Sequence, residues 1–477
     1  MHGRTGAPTA IGHRRLAAMG LTALTLGAAA IAAAPEAQAA RALYVSDGGA
    51  TPVGTISQFA MGVPGGALSP LVPPTVETGA KPQHMTFTSD GRFAYGSAAE
   101  TGMVYAYRVG DDGGLTPLST PAVPAGVGAH GVVASPDGRS LYVAAQESGA
   151  VFQYDIGPDG VPTPKSPASV PSGEGASGVA VSPDGRSVYV TNLHGASLSQ
   201  YDADPVTGVL TPKSPATVRM PPAPSGLAVS PDGRSLYVAA LTGRLAQLTI
   251  RRDGTVRPKN PAIVRVGAGA AGVGISPDGR NLYTPNGLVN TMSQFLVDRR
   301  TGKLTALRPR AVRTAGRPGG IAVAPNGHAV YASSAAESAV TWFSVGPRGH
   351  LLRGGRAPIS AGQEPHGVAI TPDQGPTADL AGPRSVRHGQ AVRLDASGSS
   401  DPDGTVRRYH WRFGDGHREV TTRPTVRHRY HRPGRYTVRL MVVDDEGCSD
   451  RLIYTGQMAL CNGGDQAIAR HRLTVRR

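Results

Sequence analysis

The chain has 477 residues, a formal net charge of +15 at pH 7, 64 glycines, 41 prolines and two cysteines. This length exceeds what one ordinary hydrophobic core serves, so we expect two or three structural units. The Gly and Pro content and the lack of helical periodicity exclude a mainly helical protein. After residue 40, no apolar run approaches the length of a transmembrane helix.

Residues 1–40 have the pattern of a secretory signal peptide. Arg14 and Arg15 precede an apolar run from Leu16 to Ala34, and Ala37-Gln38-Ala39 fits the small-x-small pattern of a cleavage site. A retained membrane anchor is the alternative. The sequence therefore predicts a secreted, extracellular protein with no membrane span once the signal is removed.

A repeat organises the chain after the signal. The segment Ser-Pro-Asp-Gly-Arg-Ser-Leu-Tyr-Val occurs identically at 135–143 and 230–238. Related turns place an Asp or Asn at positions 90, 137, 184, 232, 278, 326 and 373, so the period is 46 to 48 residues. An apolar run precedes each turn, an alternating strand follows it, and two further strands lie between Gly- and Pro-rich turns. Four strands per repeat with this period predict a β-propeller.

The two ends of the repeat region complement each other. The turn at Asp373 has no strand after it, whereas residues 42–45 at the mature N-terminus have the pattern of the missing second strand. Residues 55–60 and 68–78 would supply the third and fourth strands of the same blade. We therefore predict an all-β fold with a seven-bladed propeller over 41–373, in which N-terminal strands complete the last blade.

The motif Val188-Tyr189-Val190-Thr191-Asn192 carries a resemblance. Residues 41–373 resemble the YVTN and lactonase-like seven-bladed β-propellers. That resemblance implies the fold, and its motif is structural. Lactonase-like members include 6-phosphogluconolactonases and a cycloisomerase of a muconate lactone, whereas many similar propellers have no established activity. For those that are enzymes, the resemblance implies a His, Arg and Glu set in the channel.

Aligning the repeats singles out residues that repeat geometry does not require. Six positions before the Asp or Asn, six repeats have Gly and the first has His84. Six glycines there indicate that the inner strands crowd near the axis, so His84 is a candidate functional residue. Other polar side chains cluster on loops at the same face, namely Lys81, Gln83, Glu100, His130, Glu147, His194, Arg317, Glu337, Glu364 and His366. The asymmetry suits functional loops on a rigid scaffold, and solvated loop tips are the alternative.

Ring opening of a lactone needs a base for water, a partner for the oxyanion, and a group that holds the base. We assign His84 or His130 as the base and Arg317 or Lys81 as the oxyanion partner. The orienting group would be Glu100, Glu147 or Glu364. Residues that would bind the ligand are Lys81, Gln83, His194, Glu337, Glu364 and His366. No close His-x-His or Glu-x-x-His pair supports a metal, and no cofactor is expected.

After a linker at 374–376, residues 377–477 resemble a PKD domain, an immunoglobulin-like β-sandwich. The matching segments are 394–404, the Trp-Arg-Phe-Gly-Asp-Gly run at 411–416, and 426–444. Trp411 and Phe413 alternate with Arg412, which predicts a half-buried strand with Trp411 in the core. PKD domains serve as spacers or as adhesion or polysaccharide-contact modules. Calcium binding by the Asp-rich turns stays open beside simple turn capping.

Cys448 and Cys461 lie in an extra loop before the last predicted strand. An oxidising compartment makes a disulfide between them the default. We expect this disulfide to close a long surface loop.

Two functions stand. We prefer a secreted, non-catalytic binding or adhesion protein, with the propeller as recognition scaffold and the PKD domain as a spacer or contact module. The alternative is a lactone hydrolase or cycloisomerase with its site at the channel mouth. The positive charge favours a polysaccharide or acidic polymer as the extracellular ligand, with a protein as the other option. No nucleic-acid module appears, and we expect a monomer.

Overall fold

A computed structural model describes residues 41–49, 53–62, 67–353 and 357–477. The predicted signal peptide, residues 1–40, lies outside these described residues. Within them, no helix has the length and apolarity that crossing a bilayer requires. In the described ranges the regular structure is β-strand, apart from three short 3₁₀ turns at Ala335–Glu337, Pro347–Gly349 and Asp465–Ala467.

The prediction of an all-β, seven-bladed propeller is confirmed, with seven antiparallel sheets following one another along the chain. We number the blades 1 to 7 by their inner strands, which are Pro82–Phe87, Ala129–Ala134, Ala176–Val181, Pro224–Val229, Gly274–Ile275, Pro318–Val323 and Pro365–Ile370. In the same order the second strands are Phe93–Ala98, Ser140–Ala145, Ser187–Asn192, Ser235–Ala240, Asn281–Asn286, Ala329–Ser334 and Ala42–Asp47.

The outer half of each blade follows the same order. The third strands are Met103–Val109, Ala150–Ile156, Ser197–Ala203, Arg244–Ile250, Thr291–Val297, Ala339–Val345 and Gly54–Met61. The fourth strands are Leu115–Pro124, Pro162–Pro171, Leu210–Arg219, Val256–Arg265, Leu304–Arg313, the pair Leu351–Arg353 and Ile359–Ser360, and Leu68–Thr78. Blade 7 joins the inner strand Pro365–Ile370 to the N-terminal strand Ala42–Asp47, so the predicted closure is confirmed.

The repeated Ser-Pro-Asp-Gly turn is held by its own side chains. In blade 3, Ser182 Oγ donates to Asp184 Oδ1 at 2.5 Å and accepts from the Ser187 amide at 2.9 Å. Gly185 has φ +74°, a left-handed conformation that glycine adopts without penalty. These local hydrogen bonds explain why the motif recurs: it ends the inner strand and starts the second strand.

The tyrosine of the Leu-Tyr-Val segment ties each blade to the next. Tyr189 Oη donates to the Gly254 carbonyl at 2.7 Å, and Tyr237 Oη donates to the Gly302 carbonyl at 2.7 Å. Each pair joins a second strand to the turn before the outer strand of the following blade. Because a buried hydroxyl needs a partner, this column of tyrosines fixes the spacing between blades.

The C-terminal part is the predicted β-sandwich. Its larger sheet has, from edge to edge, the strands Ser385–Arg387, Ile468–Arg476, Gly434–Asp444, Val406–Arg412 and Arg418–Thr421. The facing pair is Ala391–Asp395 with Thr425–Arg429. As predicted, Trp411 and Phe413 are buried in the core while Arg412 is exposed. Trp411 Nε1 donates to Thr421 Oγ1 at 3.0 Å.

The extra loop of the sandwich is not at the surface, which corrects one prediction. The Cys448–Cys461 disulfide is confirmed, with Cα atoms 5.4 Å apart. Between the cysteines, Leu452–Tyr454 pairs with Ala459–Asn462 in a hairpin. Tyr454, Met458 and Leu460 are buried against inner strands of the propeller. The apolar side chains of this loop lie against the centre of the propeller ring, so burying them there removes hydrocarbon surface from water.

The hairpin is bonded to inner strands from several blades. The Val181 amide of blade 3 donates to the Gly456 carbonyl at 2.8 Å, and the Val229 amide of blade 4 donates to the Thr455 carbonyl at 3.0 Å. Thr86 Oγ1 of blade 1 donates to the Gln457 carbonyl at 3.1 Å. These bonds come from three different blades, so the hairpin occupies the middle of the ring and closes the channel there.

Candidate functional site

Inner strands of neighbouring blades approach very closely at the column of glycines. A Cβ atom added to Gly131, Gly178, Gly226, Gly320 or Gly367 would lie 2.2–2.5 Å from a backbone carbonyl oxygen of the next blade. Real Cβ atoms do not approach this closely, so only glycine fits. The predicted crowding is therefore confirmed, and His84 is the exception in this column.

A cavity of about 150 Å³ lies at the axis of the ring. Its wall includes His84, His130, His366 and Gln83, together with the glycine column. Its floor is made by Gln457 and Met458 from the sandwich hairpin. We call this cavity the three-histidine pocket. Sequence reasoning identified the wall residues and missed the floor, for which the only signal was the unusual apolarity of the Cys448–Cys461 loop.

The histidine positions are set by hydrogen bonds between blades. The imidazole rings of His84 and His130 have centroids 4.9 Å apart, tilted by 47°. Ser97 Oγ donates to the His130 carbonyl, and Ser333 Oγ donates to the His366 carbonyl at 2.7 Å. Nδ1 of His84 is buried and has no hydrogen-bond partner among the described residues. An unpaired buried nitrogen costs about 1–3 kcal/mol, so it marks a place where a ligand or water would be stabilised.

All three pocket histidines have lowered pKa values. Burial and the nearby His366 together lower the pKa of His84 to about 4, against a hydrogen bond to the His130 backbone. Burial, together with His84 and His366, lowers the pKa of His130 to about 3, against a hydrogen bond to the Ser177 backbone. For His366, burial lowers the pKa, Glu364 opposes the shift and Arg317 adds to it. The imidazoles are therefore neutral at pH 7, each with one N–H donor and one lone pair.

Three charged candidates form a rim outside the pocket. Lys81, Arg317 and Glu364 are exposed and have φ of +54°, +50° and +45°. They occupy the alignment position where blades 2, 3 and 5 have glycines with positive φ and blade 4 has Ala223 at φ +57°. Non-glycine residues in this conformation carry strain, and such strain concentrates at functional sites. Lys81 Nζ lies 3.6 Å from Glu100 Oε2, so these two candidates pair with each other at the rim.

The remaining loop candidates do not line the three-histidine pocket. Glu147, His194 and Glu337 are exposed on the loops between second and third strands. Glu337 Oε1 accepts from the Gly316 amide at 2.9 Å, which holds its loop. The structure thus brings Gln83, His84, His130 and His366 together, and leaves Lys81, Glu100, Glu147, His194, Arg317, Glu337 and Glu364 on the loops around the mouth.

Asp47 is a buried carboxyl near the channel mouth, and its contacts indicate a role in holding strands together. Its Oδ2 accepts from Thr55 Oγ1 at 3.1 Å and from Ser57 Oγ at 2.7 Å. Burial raises its pKa to about 6, against these hydrogen bonds. Asn192 occupies the same strand position in blade 3 and bonds to Ser197 and Ser199. The shared pattern indicates that Asp47 holds the second strand to the third.

A group of carboxylates surrounds Arg41 where the sandwich meets blade 7. The Arg41 guanidinium pairs with Asp373 at 2.6 Å, with Asp403 at 3.5 Å and with Glu446. Oxygens of Asp373, Asp401 and Asp444 are buried with no hydrogen-bond partner among the described residues. Burial and the neighbouring acids raise the pKa of Asp401 to about 8. Oxygen ligands of this kind suit a hard cation such as calcium, and here the guanidinium supplies positive charge.

Outside the group around Arg41, a further cluster of side chains could hold a metal ion. In the part of the chain that the structure describes, Asp415, His417 and His428 lie close enough to share an ion. Asp415 Oδ2 already pairs with His428 Nε2 at 2.7 Å and with His417 Nδ1 at 3.3 Å. Asp373 and Asp444 also lie near Cys448, but a disulfide sulfur is not a thiolate ligand.

Comparison with known proteins agrees with both parts of the fold. The family model "Lactonase, 7-bladed beta-propeller" matches residues 42–370, and the PKD domain model matches residues 373–456. Among curated proteins, Collagenase ColQ1 of Bacillus cereus is 36% identical over 84 residues, which is 17% of this chain and 8% of the collagenase. A microbial collagenase of Vibrio alginolyticus is 31% identical over 90 residues, covering 19% of this chain and 11% of that protein. This chain thus spans only a small part of these relatives.

Solved structures resemble the propeller. A candidate 6-phosphogluconolactonase from Bacteroides fragilis has a TM-score of 0.60 at 20% identity, covering 70% of this chain and 98% of that one. The periplasmic gluconolactonase of Pseudomonas aeruginosa has a TM-score of 0.58 at 22% identity, covering 69% and 99%. At this identity the likeness shows the fold alone. Because the propeller model covers well over half of the sequence, the chain belongs to the seven-bladed β-propeller lactonase family and carries a PKD domain after the propeller.

Proposed function

We propose that the three-histidine pocket binds and hydrolyses a small, unphosphorylated lactone. The observation that carries this proposal is the meeting of His84, His130 and His366 in one cavity of about 150 Å³. The sandwich hairpin closes the floor, so the cavity can accept a small molecule and has no room for a polymer. Membership of the lactonase family supports the same class of substrate.

The neutral imidazoles can supply both roles that ring opening requires. In this mechanism His84 accepts a proton from water, and the resulting hydroxide attacks the lactone carbonyl carbon. The N–H group of His366 stabilises the oxyanion that forms. The ring C–O bond then breaks, and the leaving alkoxide takes the proton back from His84. Water and lactone are consumed, and one hydroxy acid is released.

The pocket lining supports an unphosphorylated substrate. Among the described lining residues there is no Lys or Arg, so a phosphate would meet no cation inside the pocket. Gln83, Gln457 and the glycine backbone offer neutral donors and acceptors, which suit the hydroxyl groups of a sugar lactone. The Cys448–Cys461 disulfide supports a location outside the cytoplasm, where phosphorylated sugar lactones are not expected.

The proposal is tested by measuring acid release from a panel of unphosphorylated sugar lactones with residues 40–477. The His84→Gly variant is the sharpest change, because glycine stands at this position in the other six repeats and should fold. We expect its kcat/KM to fall by about 10²-fold or more. His328→Ala is the matched control, since His328 is exposed on a turn at the opposite face of blade 6. Equal rates for His84→Gly and the parent protein would overturn the proposal.

Non-catalytic recognition by the same pocket is the second candidate. It is favoured by one observation: no carboxylate among the described residues hydrogen-bonds to the imidazole of His84, His130 or His366, so an orienting acid is missing. Isothermal titration with the same lactones separates the two functions. Binding that His84→Gly abolishes, without turnover by the parent protein, would support recognition and reject hydrolysis.

A further inference from the structure

Four arginines stand in one row across the larger sheet of the sandwich. Arg418 is directly opposite Arg412, Arg412 is opposite Arg439, and Arg439 is opposite Arg470. Adjacent strands are about 4.8 Å apart, so the row spans roughly 14 Å. We call Arg412, Arg418, Arg439 and Arg470 the arginine row. Their strand neighbours Trp411 and Leu440 are buried, so the row lies on the outer face of the sheet.

The arginine row is open to solvent and poorly compensated. Arg412, Arg418 and Arg470 are exposed, and none has an ion-pair partner in the described ranges. Arg439 has one partner, Asp450, at 3.6 Å. The same face adds further arginines at outward positions, namely Arg408, Arg435, Arg472 and Arg476. No outward position of the three strands 406–412, 434–444 and 468–476 holds an Asp or Glu.

Packing does not explain this arrangement. Like charges directly opposite on neighbouring strands destabilise a sheet, and the sandwich core lies on the other side of these strands. A ligand with matching negative charges would remove the repulsion and gain charge-assisted hydrogen bonds from planar guanidinium groups. The row therefore destabilises the free protein, and binding of an anion would stabilise it by removing the repulsion.

We propose that the arginine row binds a linear polysaccharide whose sugar units carry carboxylates. The row presents four guanidinium groups about 4.8 Å apart on one face, and planar guanidinium groups bind carboxylates through paired hydrogen bonds. A single-stranded nucleic acid fits less well, because such sites use aromatic side chains as stacking platforms. Here the row next to the arginines, Val420, His410, Met441 and Ile468, holds one imidazole and no Phe, Tyr or Trp. This proposal does not depend on hydrolysis in the three-histidine pocket.

The test measures binding of residues 40–477 to fluorescent polygalacturonate oligomers, with a neutral galactan and single-stranded DNA of equal charge as comparisons. The row variant combines Arg412→Ser, Arg418→Ser and Arg470→Ser. The control variant combines Arg257→Ser, Arg265→Ser and Arg313→Ser, which are exposed on outer strands of the propeller and remove the same charge. We expect roughly tenfold weaker polygalacturonate binding for the row variant and less than about twofold for the control.

A second variant separates the guanidinium geometry from charge. Arg→Lys at the same three positions keeps the charge and removes the planar fork, so binding should weaken to an intermediate level. Removing like charges from an open sheet face should not lower the melting temperature of the row variant. Equal weakening by the row and control variants would overturn the proposal, as would DNA binding as tight as polygalacturonate binding, or no binding above the neutral galactan.

Discussion

The hydroxyl of Tyr454 donates a 2.6 Å hydrogen bond to the carbonyl oxygen of Ala134, 320 residues earlier in the chain. Tyr454 belongs to the sandwich hairpin, and Ala134 ends the inner strand of blade 2. Both residues are almost completely buried. A hydroxyl buried this deeply requires a partner, so this contact fixes the hairpin within the ring. The two domains therefore share one site, because the hairpin that Tyr454 anchors also supplies the pocket floor.

Replacing Gly456 tests the seating of the hairpin. A Cβ there would lie 2.9 Å from the Val229 nitrogen and 3.0 Å from Val229 Cγ2, at φ +93°. The matched control is Gly447→Ala, because Gly447 has φ +98° and nothing within 4 Å of its added Cβ. Backbone strain of about 1–2 kcal/mol is common to both variants. Gly456→Ala should lose about 1–3 kcal/mol more, measured by denaturant unfolding. Equal losses would mean that the hairpin is not held against blade 4.

The disulfide should stabilise the hairpin by limiting the unfolded chain. Cys448 and Cys461 are 13 residues apart, and closing a loop of this size contributes about 3 kcal/mol. Replacing both cysteines with Ser should lower the melting temperature, and dithiothreitol should lower that of the parent protein toward the same value. The Ser variant itself should not respond to the reductant. A parent protein that keeps its melting temperature when fully reduced would contradict this prediction.

Much of the site could be predicted because the propeller repeats one unit. The glycine column exposed His84 as an exception, and the preceding column contained Gln83, His130 and His366, which all line the pocket. Alignment places a residue on a face of the ring. It does not say whether a side chain enters the channel: Lys81, Arg317 and Glu364, which the alignment predicts at the channel mouth, form its rim outside the pocket.

The floor of the pocket could not be read from the repeats. Gln457 and Met458 belong to a different domain, and their contacts with blade 1 join residues that are far apart in sequence. No periodic pattern encodes such a contact. A loop that interrupts the PKD pattern predicts a surface position, whereas the apolar side chains of this loop, Leu452, Ile453, Tyr454, Met458 and Leu460, indicate burial.

The pH dependence of lactone hydrolysis should report the lowered pKa of His84. Burial holds that pKa at about 4, so the imidazole stays neutral, and able to act as a base, well below the usual histidine range. We expect kcat/KM to fall only as the pH drops through about 4. In His366→Ala the pH at which kcat/KM falls should be higher, because the nearby His366 contributes to lowering the pKa of His84. A fall in kcat/KM near pH 6.5 that is the same in His366→Ala would show that another residue is the base.

Stability should fall as the pH rises through the range in which Asp401 ionises. Its pKa is raised by burial and by Asp444 and Asp403, from 3.8 to about 8. Between pH 4 and pH 8 the folded protein keeps a proton that the unfolded chain releases, so raising the pH favours unfolding. The melting temperature should therefore drop from pH 5 to pH 8.5, with EDTA present because the same oxygens suit calcium. Asp401→Asn cannot ionise and should reduce this drop by about 1–3 °C.

The control for this titration is Asp111→Asn on the propeller, where the carboxyl is exposed. It should leave the pH dependence of the melting temperature as it is in the parent protein. A further measurement adds calcium in place of EDTA at pH 8.5. If it raises the melting temperature of the parent protein and has less effect on Asp401→Asn, the carboxylates that surround the Arg41 guanidinium also bind calcium. A parent melting temperature that rises from pH 5 to pH 8.5 would show that these acids are ionised and fully compensated by Arg41.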